Sequence, residues 1–318
     1  MSRINIGLDV AGGDFAPDCN FEGIELAVKN LSPTIRLTLI GDETVIKEKL
    51  AAKGLDENLF SIAHAPETID MGESPLKAVM AKPNSSIAVG LKLLKSGQID
   101  GFASAGNTGA IFGASVITLG TVIENIRPCL MTLVPKLNGS YGVLLDIGAS
   151  ADSKPENLYQ FAVLGNSFAK FILGNPNPKI GLINIGEEPE KGNELVKATY
   201  KLMIDSSDFN FIGNVEGTEF FSPKADVMVC NGFTGNIVVK LCEAWYKVCR
   251  KSGLNNDYIE QFNYENQGGS PVLGVNGSVV IGHGISNGKA IMNMIKLTSE
   301  IVQNKLSAKI KEALSSNE

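Results

Sequence analysis

Histidine and tryptophan are nearly missing from this chain, with two and one copies in 318 residues. His64 and His283 lie far apart, so a zinc centre, which gathers four His and Cys ligands at close spacing, is poorly supported. The five cysteines, Cys19, Cys129, Cys230, Cys242 and Cys249, form no CxxC pair. An odd number in a chain of this size fits reduced thiols in a cytoplasmic protein better than a disulfide scaffold. Positive charge is not in surplus: 28 basic against 34 acidic residues leave a net charge of -6, which argues against a broad nucleic-acid surface and leaves room for a local anion pocket. No apolar run reaches the ~18 residues of a membrane span. The most apolar stretch, residues 109–123, stops at Glu124 and reads as a buried helix, with peripheral contact at the inner face of a membrane left open. No basic segment followed by an apolar one opens the chain as a secretory signal would. The glycine-rich turns lack GKS or GKT and the GxGxxG spacing, which excludes a P-loop and argues against a dinucleotide fold.

Glycine, by contrast, is abundant at 34 residues, above the ~7% of an average protein. Because glycine inside an element is entropically costly, so many must cluster where chain geometry decides. With 44% hydrophobic residues the chain can bury one large core or two intimately packed lobes. Short β-branched runs at 4–10, 35–41, 60–64, 99–105, 129–135, 141–148, 179–186, 209–215 and 225–232 alternate with helical patterns, which predicts an α/β fold with a largely parallel sheet covered on both faces. Asp42 is placed to cap a helix over 43–53, and Ser74-Pro75 to start another. Residues 129–135 and 141–148 suggest a hairpin, as do 272–284 through Asn276-Gly277. A final helix is expected over 286–313, and 257–269 as a mobile loop or short helical excursion.

The chemistry concentrates in the turns. Asp9 ends the first strand, Gly12 and Gly13 allow close backbone approach, and Asp14 can cap or orient a neighbour. Gly106-Asn107-Thr108-Gly109 opens a helix at a strand end, where N–H groups and the helix dipole favour an anion, although Asn and Thr also serve as plain caps. Asp146 begins a longer loop in which Ser153 and Glu156 have capping-box spacing. That spacing would put Lys154 in a first helical turn, unfavourable for a cation unless an anion compensates. Glu188, Asn193 and Asn214 mark two further strand ends. Gly232, Gly235 and Asn236 follow another, in a turn like that of Asn107. Convergence of such turns at a sheet edge would form a polar crevice. His283, in Gly282-His283-Gly284, titrates near neutrality and suits proton transfer, with a structural role as the alternative. Cys230 has no histidine near it in sequence to activate it and reads as a buried strand residue.

Taken in order, DVAGGDFAP (9–17), SAGNTGA (104–110), LLDIGASADSKPE (144–156), GLINIGEEPEKGNE (181–194), NFIGNVEG (210–217), VCNGFTGNIVVK (229–240) and LGVNGSVVIGHG (273–284) resemble the phosphate acyltransferase family of phospholipid synthesis. The resemblance spans nearly the whole chain. It implies a three-layer α/β/α fold similar to isopropylmalate dehydrogenase and phosphotransacetylase, a homodimer, no cofactor, and acyl transfer from acyl-acyl-carrier-protein to inorganic phosphate. It also brings association with a downstream glycerol-phosphate acyltransferase into view. Asn107, Thr108, Lys154, Asn193, Asn236 and His283 fall on family motifs expected around the acyl-phosphate site. Lys82-Pro83-Asn84-Ser85-Ser86 departs from a more charged family pattern, leaving Lys82 as the local phosphate or carrier contact, and Val10-Ala11 replaces the usual Ala-Met. An acyl-CoA-dependent phosphotransacetylase and a non-catalytic lipid or carrier-binding module are the rival expectations.

Overall fold

Strand and helix alternate along the chain largely where the apolar runs and caps place them. The computed structural model describes residues 3–315. In chain order they form β1 (Ile4–Asp9), α1 (Asp18–Asn30), β2 (Ile35–Gly41), α2 (Glu43–Ala52), β3 (Phe60–His64), α3 (Pro75–Ala81), α4 (Ser86–Lys95), β4 (Gly101–Ser104) and α5 (Thr108–Leu119). Then come β5 (Cys129–Pro135), β6 (Tyr141–Leu145), α6 (Pro155–Phe171), β7 (Lys179–Ile183), α7 (Glu194–Met203), β8 (Asn210–Val215), β9 (Val227–Val229), α8 (Gly232–Lys251) and the short α9 (Asp257–Glu260). The chain closes with α10 (Tyr264–Gln267), β10 (Ser270–Leu273), β11 (Ser278–Ile281), α11 (Gly288–Gln303) and α12 (Leu306–Ser315). Two units result, one of Met1–Gly120 with Tyr264–Lys305, the other of Thr121–Asn263 with Leu306–Glu318.

In the first unit the strand order is β3-β2-β1-β4-β11-β10, parallel except for the β10–β11 hairpin. Successive strand residues point to opposite faces, which decides where the helices pack. A Cβ on Gly101 would press on Thr298 and Val302 of α11, whereas Phe102, one residue on, lies against Gly90 of α4. Helices therefore cover both faces. Because β1 and β4 are neighbours whose onward connections run in opposite directions, the order reverses between them, and a ligand crevice is expected beyond their carboxyl ends.

The second unit has the order β5-β6-β9-β7-β8, with only the β5–β6 hairpin antiparallel. The same alternation sorts its core. Leu145 and Val227 face Gly165 of α6, while Leu144 and Met228 join Val134, Val215 and Phe220 against Val238, Val239 and Cys242 of α8.

Several boundaries differ from the sequence expectations. The last helical pattern is two helices, because Lys305 takes a left-handed φ of 51° between α11 and α12. In the β10–β11 turn the left-handed residue is Gly274, at φ 90°, and not the Asn276-Gly277 pair. The start of α6 is shifted by one residue from the Ser153/Glu156 spacing: Lys154 is its N-cap, and its N–H donates to Asn157 Oδ1 at 2.9 Å. Lys154 thus precedes the first turn. Helix α7 starts at Glu194, later than the Glu188 region, and α8 starts at Gly232, so Gly235 and Asn236 are helical. Residues 257–269 contain the two four-residue helices α9 and α10. Asp42 caps α2 as expected, with Oδ1 accepting from the N–H groups of Thr44 and Val45.

Gly90 gives a test in which two effects oppose each other. Alanine favours helix by about 1 kcal/mol, but a Cβ here would run into the Phe102 ring. Gly90→Ala is expected to destabilise by about 1–3 kcal/mol in urea unfolding, with partial recovery when Phe102→Leu is added. A stabilised single variant would refute the close packing of α4 on β4.

Candidate active site

The nominated residues gather in sets within each unit. In the first unit, β1 and β4 end side by side on a buried carboxylate. Asp9 Oδ2 accepts from Ser104 Oγ at 2.6 Å, Oδ1 accepts from the Ala11 N–H at 3.0 Å, and the Ser104 hydroxyl oxygen takes the Gly106 N–H at 3.1 Å. Burial raises the Asp9 pKa above the ordinary carboxylate range, against the lowering effect of its hydrogen bonds to Ser104, Ser86, Ala11 and Gly12. A Cβ at Gly12 would lie 2.6 Å from Asp9 Oδ2 and 2.8 Å from the Gly106 nitrogen, so glycine is what lets the two turns touch. Gly13 adopts φ 113°, and the Asp14 N–H donates to Gly284 O at 2.8 Å. The Asp14 side chain is exposed. Asn20, which sequence reasoning passed over, pins the turn from below. Its amide donates to Val10 O and Gly12 O, both at 3.1 Å.

Asn107 answers the question left open by its sequence. Its Oδ1 accepts from the Ala110 N–H, and its Nδ2 donates to the carbonyls of Asp70, Met71 and Glu73 at 3.1–3.2 Å. The side chain is 5% exposed and its hydrogen-bonding capacity is spent on capping α5 and holding the 70–73 loop. What remains for an anion is the exposed first turn of α5, the N–H groups of Thr108 and Gly109 with the Thr108 hydroxyl. Lys82 is also engaged. Its ammonium donates to Glu73 at 2.5 Å and to Thr68 O at 2.7 Å, and Glu73 raises its pKa.

His283 follows β11, which lies parallel to β4, and the Gly282 N–H donates to Ser104 O at 2.8 Å. The imidazole is half-buried against Tyr264, with ring centroids 5.2 Å apart. Its Nδ1 accepts the Ile285 N–H at 3.4 Å. The structure thus brings His283, Asp9, Gly12, Gly13, Asp14 and the Gly106–Gly109 turn to adjoining strand ends. His64 is elsewhere, its Nδ1 accepting the Glu43 N–H.

The second unit repeats the device at β6. Asp146 is fully buried; Oδ1 accepts the N–H groups of Leu130, Gly148 and Ala149 at 3.1–3.3 Å, and Oδ2 accepts that of Ser150 at 2.8 Å. Burial still raises its pKa above the ordinary value. The Ser150 carbonyl receives the Gly232 N–H at 2.9 Å, and Asn231 caps α8 through the Thr234 N–H. A Cβ at Gly235 would collide with the Asp146 carbonyl oxygen. Asn236 is exposed, with its amide 3.4 Å from Ile147 O. Lys154 is exposed, with no acidic partner among the described residues. Cys230 is buried against the Asp146 carbonyl, and burial drives its thiol far above its usual range, which removes it as a nucleophile.

Asn193, before α7, and Asn214, in β8, flank a separate loop, residues 184–193. Asn193 caps α7 through the Val196 N–H. Asn214, 3% exposed, donates to the carbonyls of Glu187 and Glu188, while its Oδ1 has no partner. Among the described residues no group of three His, Cys, Asp or Glu could hold a metal ion, and no helix is long and apolar enough to cross a membrane.

A family model described as Fatty acid synthesis protein matches residues 4–309. Relatives named Phosphate acyltransferase from Dictyoglomus turgidum and Salinibacter ruber are 40% and 39% identical; the alignments cover 98% of this chain and 98% of the first relative, and 100% and 99% for the second. Two solved structures, the EutD phosphotransacetylase from Staphylococcus aureus and a branched-chain phosphotransacylase from Enterococcus faecalis V583, superpose with TM-scores of 0.63 at 16% and 14% identity. They match over 94% of this chain and 94% and 99% of their own lengths, a likeness of fold.

Asp146→Asn tests the carboxylate. One amide oxygen can keep the three N–H donors of Oδ1, but the amide nitrogen then faces the Ser150 N–H, donor against donor. A loss of about 1–3 kcal/mol is expected in chemical denaturation, and an unchanged midpoint would mean that the carboxylate does not hold the loop.

Proposed function

The chain belongs to the phosphate acyltransferase family and is an acyltransferase, and on that premise we propose that it moves an acyl group from acyl-acyl-carrier-protein to inorganic phosphate for phospholipid synthesis. The observation that carries this reading is the placement, at neighbouring ends of β4 and β11, of an exposed helix N-terminus and an imidazole. An oxyanion held on the Thr108 and Gly109 N–H groups is oriented without a covalent enzyme intermediate. One phosphate oxygen attacks the thioester carbonyl carbon, the new C–O bond forms, and collapse of the tetrahedral species breaks the C–S bond. The carrier leaves as thiolate, which needs little help near neutral pH. In this reading His283 takes up the proton that hydrogen phosphate loses and passes it to the thiolate, so that the imidazole ends the step as it began. Lys154 is exposed and has no acidic partner among the described residues, which supports a role of its own in attracting phosphate.

The fold likeness to phosphotransacetylases supports one rival, an acyl-CoA donor. The deciding experiment supplies both thioesters with phosphate and measures acyl phosphate and free thiol. Turnover with the carrier-protein thioester is expected to dominate. Reaction with acyl-CoA alone would replace the donor, and bound thioester without turnover would leave a binding module. In the same assay Lys154→Ala is expected to raise the phosphate KM roughly tenfold, and His283→Ala to lower kcat by about a hundredfold. Wild-type constants in either variant would remove that residue from the mechanism.

A homodimer is part of the proposal. Phe233, Ile237, Leu241 and Val248 are 52–68% exposed at helical spacing along α8, an apolar stripe that a second copy would cover. Leu241→Glu is expected to shift sedimentation velocity from dimer to monomer; a monomeric wild type would discard the idea.

A further inference from the structure

Arg127 is the cation that the sequence motifs did not single out, and its tethers are unusual for a surface arginine. Asn125, two residues before it, takes a left-handed φ of 63°. The backbone there is clamped to α6 from both directions: the Arg127 N–H donates to Gln160 Oε1 at 2.8 Å, and Gln160 Nε2 donates to Asn125 O at 3.1 Å. Pro128 follows and is buried. The side chain reaches the Asp146 loop, where Nη2 donates to Ser150 Oγ at 3.0 Å.

Ser150 is 4% exposed and fully committed. Its N–H binds Asp146 Oδ2, its hydroxyl donates to Asp152 O, and its carbonyl receives the first N–H of α8. The guanidinium is therefore fixed by one of its five N–H groups to a serine whose own polar groups are all bonded. Among the described residues it has no carboxylate partner, and the rest of the fork has no acceptor. Ser150 also shares its loop with Lys154, whose side chain is exposed and unpaired. A surface arginine serving stability alone would be expected to find an acid or to lie free. This one is positioned and left uncompensated.

We propose that Arg127 is a substrate-binding residue whose guanidinium fork grips a phosphate oxyanion of the acyl-transfer reaction. The inference rests on the acyl-to-phosphate reading above. A planar fork suits a tetrahedral oxyanion because two parallel N–H groups can take two of its oxygens, whereas an ammonium acts as a point charge. The oxyanion has two possible sources, the inorganic phosphate that attacks and the phosphodiester of the donor's prosthetic arm.

Arg127→Gln removes the charge while keeping an amide donor. Two kinetic outcomes support the assignment: a phosphate KM raised tenfold or more with the donor KM unchanged identifies inorganic phosphate, and the reverse split identifies the donor's phosphodiester. Calorimetric titration of the full-length protein with inorganic phosphate alone should show weakening by the same factor in the first case and none in the second. Both Michaelis constants within twofold of wild type, with an unchanged Tm, would overturn the proposal. If Arg127→Gln lowers Tm by more than 5 °C, Arg127→Lys becomes the test, since it retains the charge without the fork. It should keep the native Tm and raise the affected KM severalfold, and wild-type constants would overturn the assignment. Should the wild type make no acyl phosphate, the acyl-transfer reading falls by itself. The calorimetric arm then decides for Arg127 alone, with weakened phosphate binding upholding it and unchanged binding overturning it.

Discussion

Much of the site's architecture depends on buried carboxylates that collect backbone N–H groups where strands end. A tight turn leaving a sheet turns its amides inward, away from water, and each unmade hydrogen bond there costs about 1–3 kcal/mol. Asp146 answers four such N–H groups with its two oxygens. The loop it gathers brings Ser150 against the start of α8, which leaves no room for side chains at Gly232 or Gly235. Glycine at positions 12, 232 and 235 thus follows from one electrostatic constraint, since close packing of backbone around a carboxylate excludes Cβ atoms.

The asparagines complement the aspartates. Asn20, Asn107, Asn184 and Asn214 each donate to backbone carbonyls, tying down the loops that the carboxylates do not reach. A side chain used in this way is not free to bind a ligand. This competition separates scaffold from candidate ligand group within a single motif. In Gly106-Asn107-Thr108-Gly109 the asparagine holds the turn, and the two exposed residues after it offer the N–H groups.

The fold was legible from the sequence because its signals are local. Apolar runs placed the strands, and Asp42 and Pro75 marked helix starts without reference to anything distant. The misplaced start of α8 has a distant cause. Gly232–Asn236 looks like a turn by composition, yet it is the first turn of α8, because Asn231 caps the helix and the glycines are required by contacts with Asp146, far away in sequence. The candidate site was legible only as a set of turns. Asn20 and Arg127 stand outside the glycine motifs, and their roles come from bonds to residues many positions away in sequence, at Gly12 and Ser150. A pairwise signal across the chain could have found them; composition could not.

The two units use one plan with different outcomes. In each, a buried aspartate at a strand end accepts from a serine, an oxygen of that serine accepts a glycine N–H, and an asparagine caps a helix: Asp9, Ser104, Gly106 and Asn107 before α5, Asp146, Ser150, Gly232 and Asn231 before α8. The difference lies in what surrounds the plan. In the first unit the nominated cation Lys82 is matched by Glu73, and the titratable group beside the turn is His283. In the second, Lys154 and Arg127 have no acidic partner among the described residues. A group that moves a proton must lose and regain charge easily, whereas a group that holds an anion must keep its charge uncompensated until the anion arrives. The same scaffold thus sets an exposed helix N-terminus beside an imidazole in one unit, and in the other two cations without an acidic partner among the described residues.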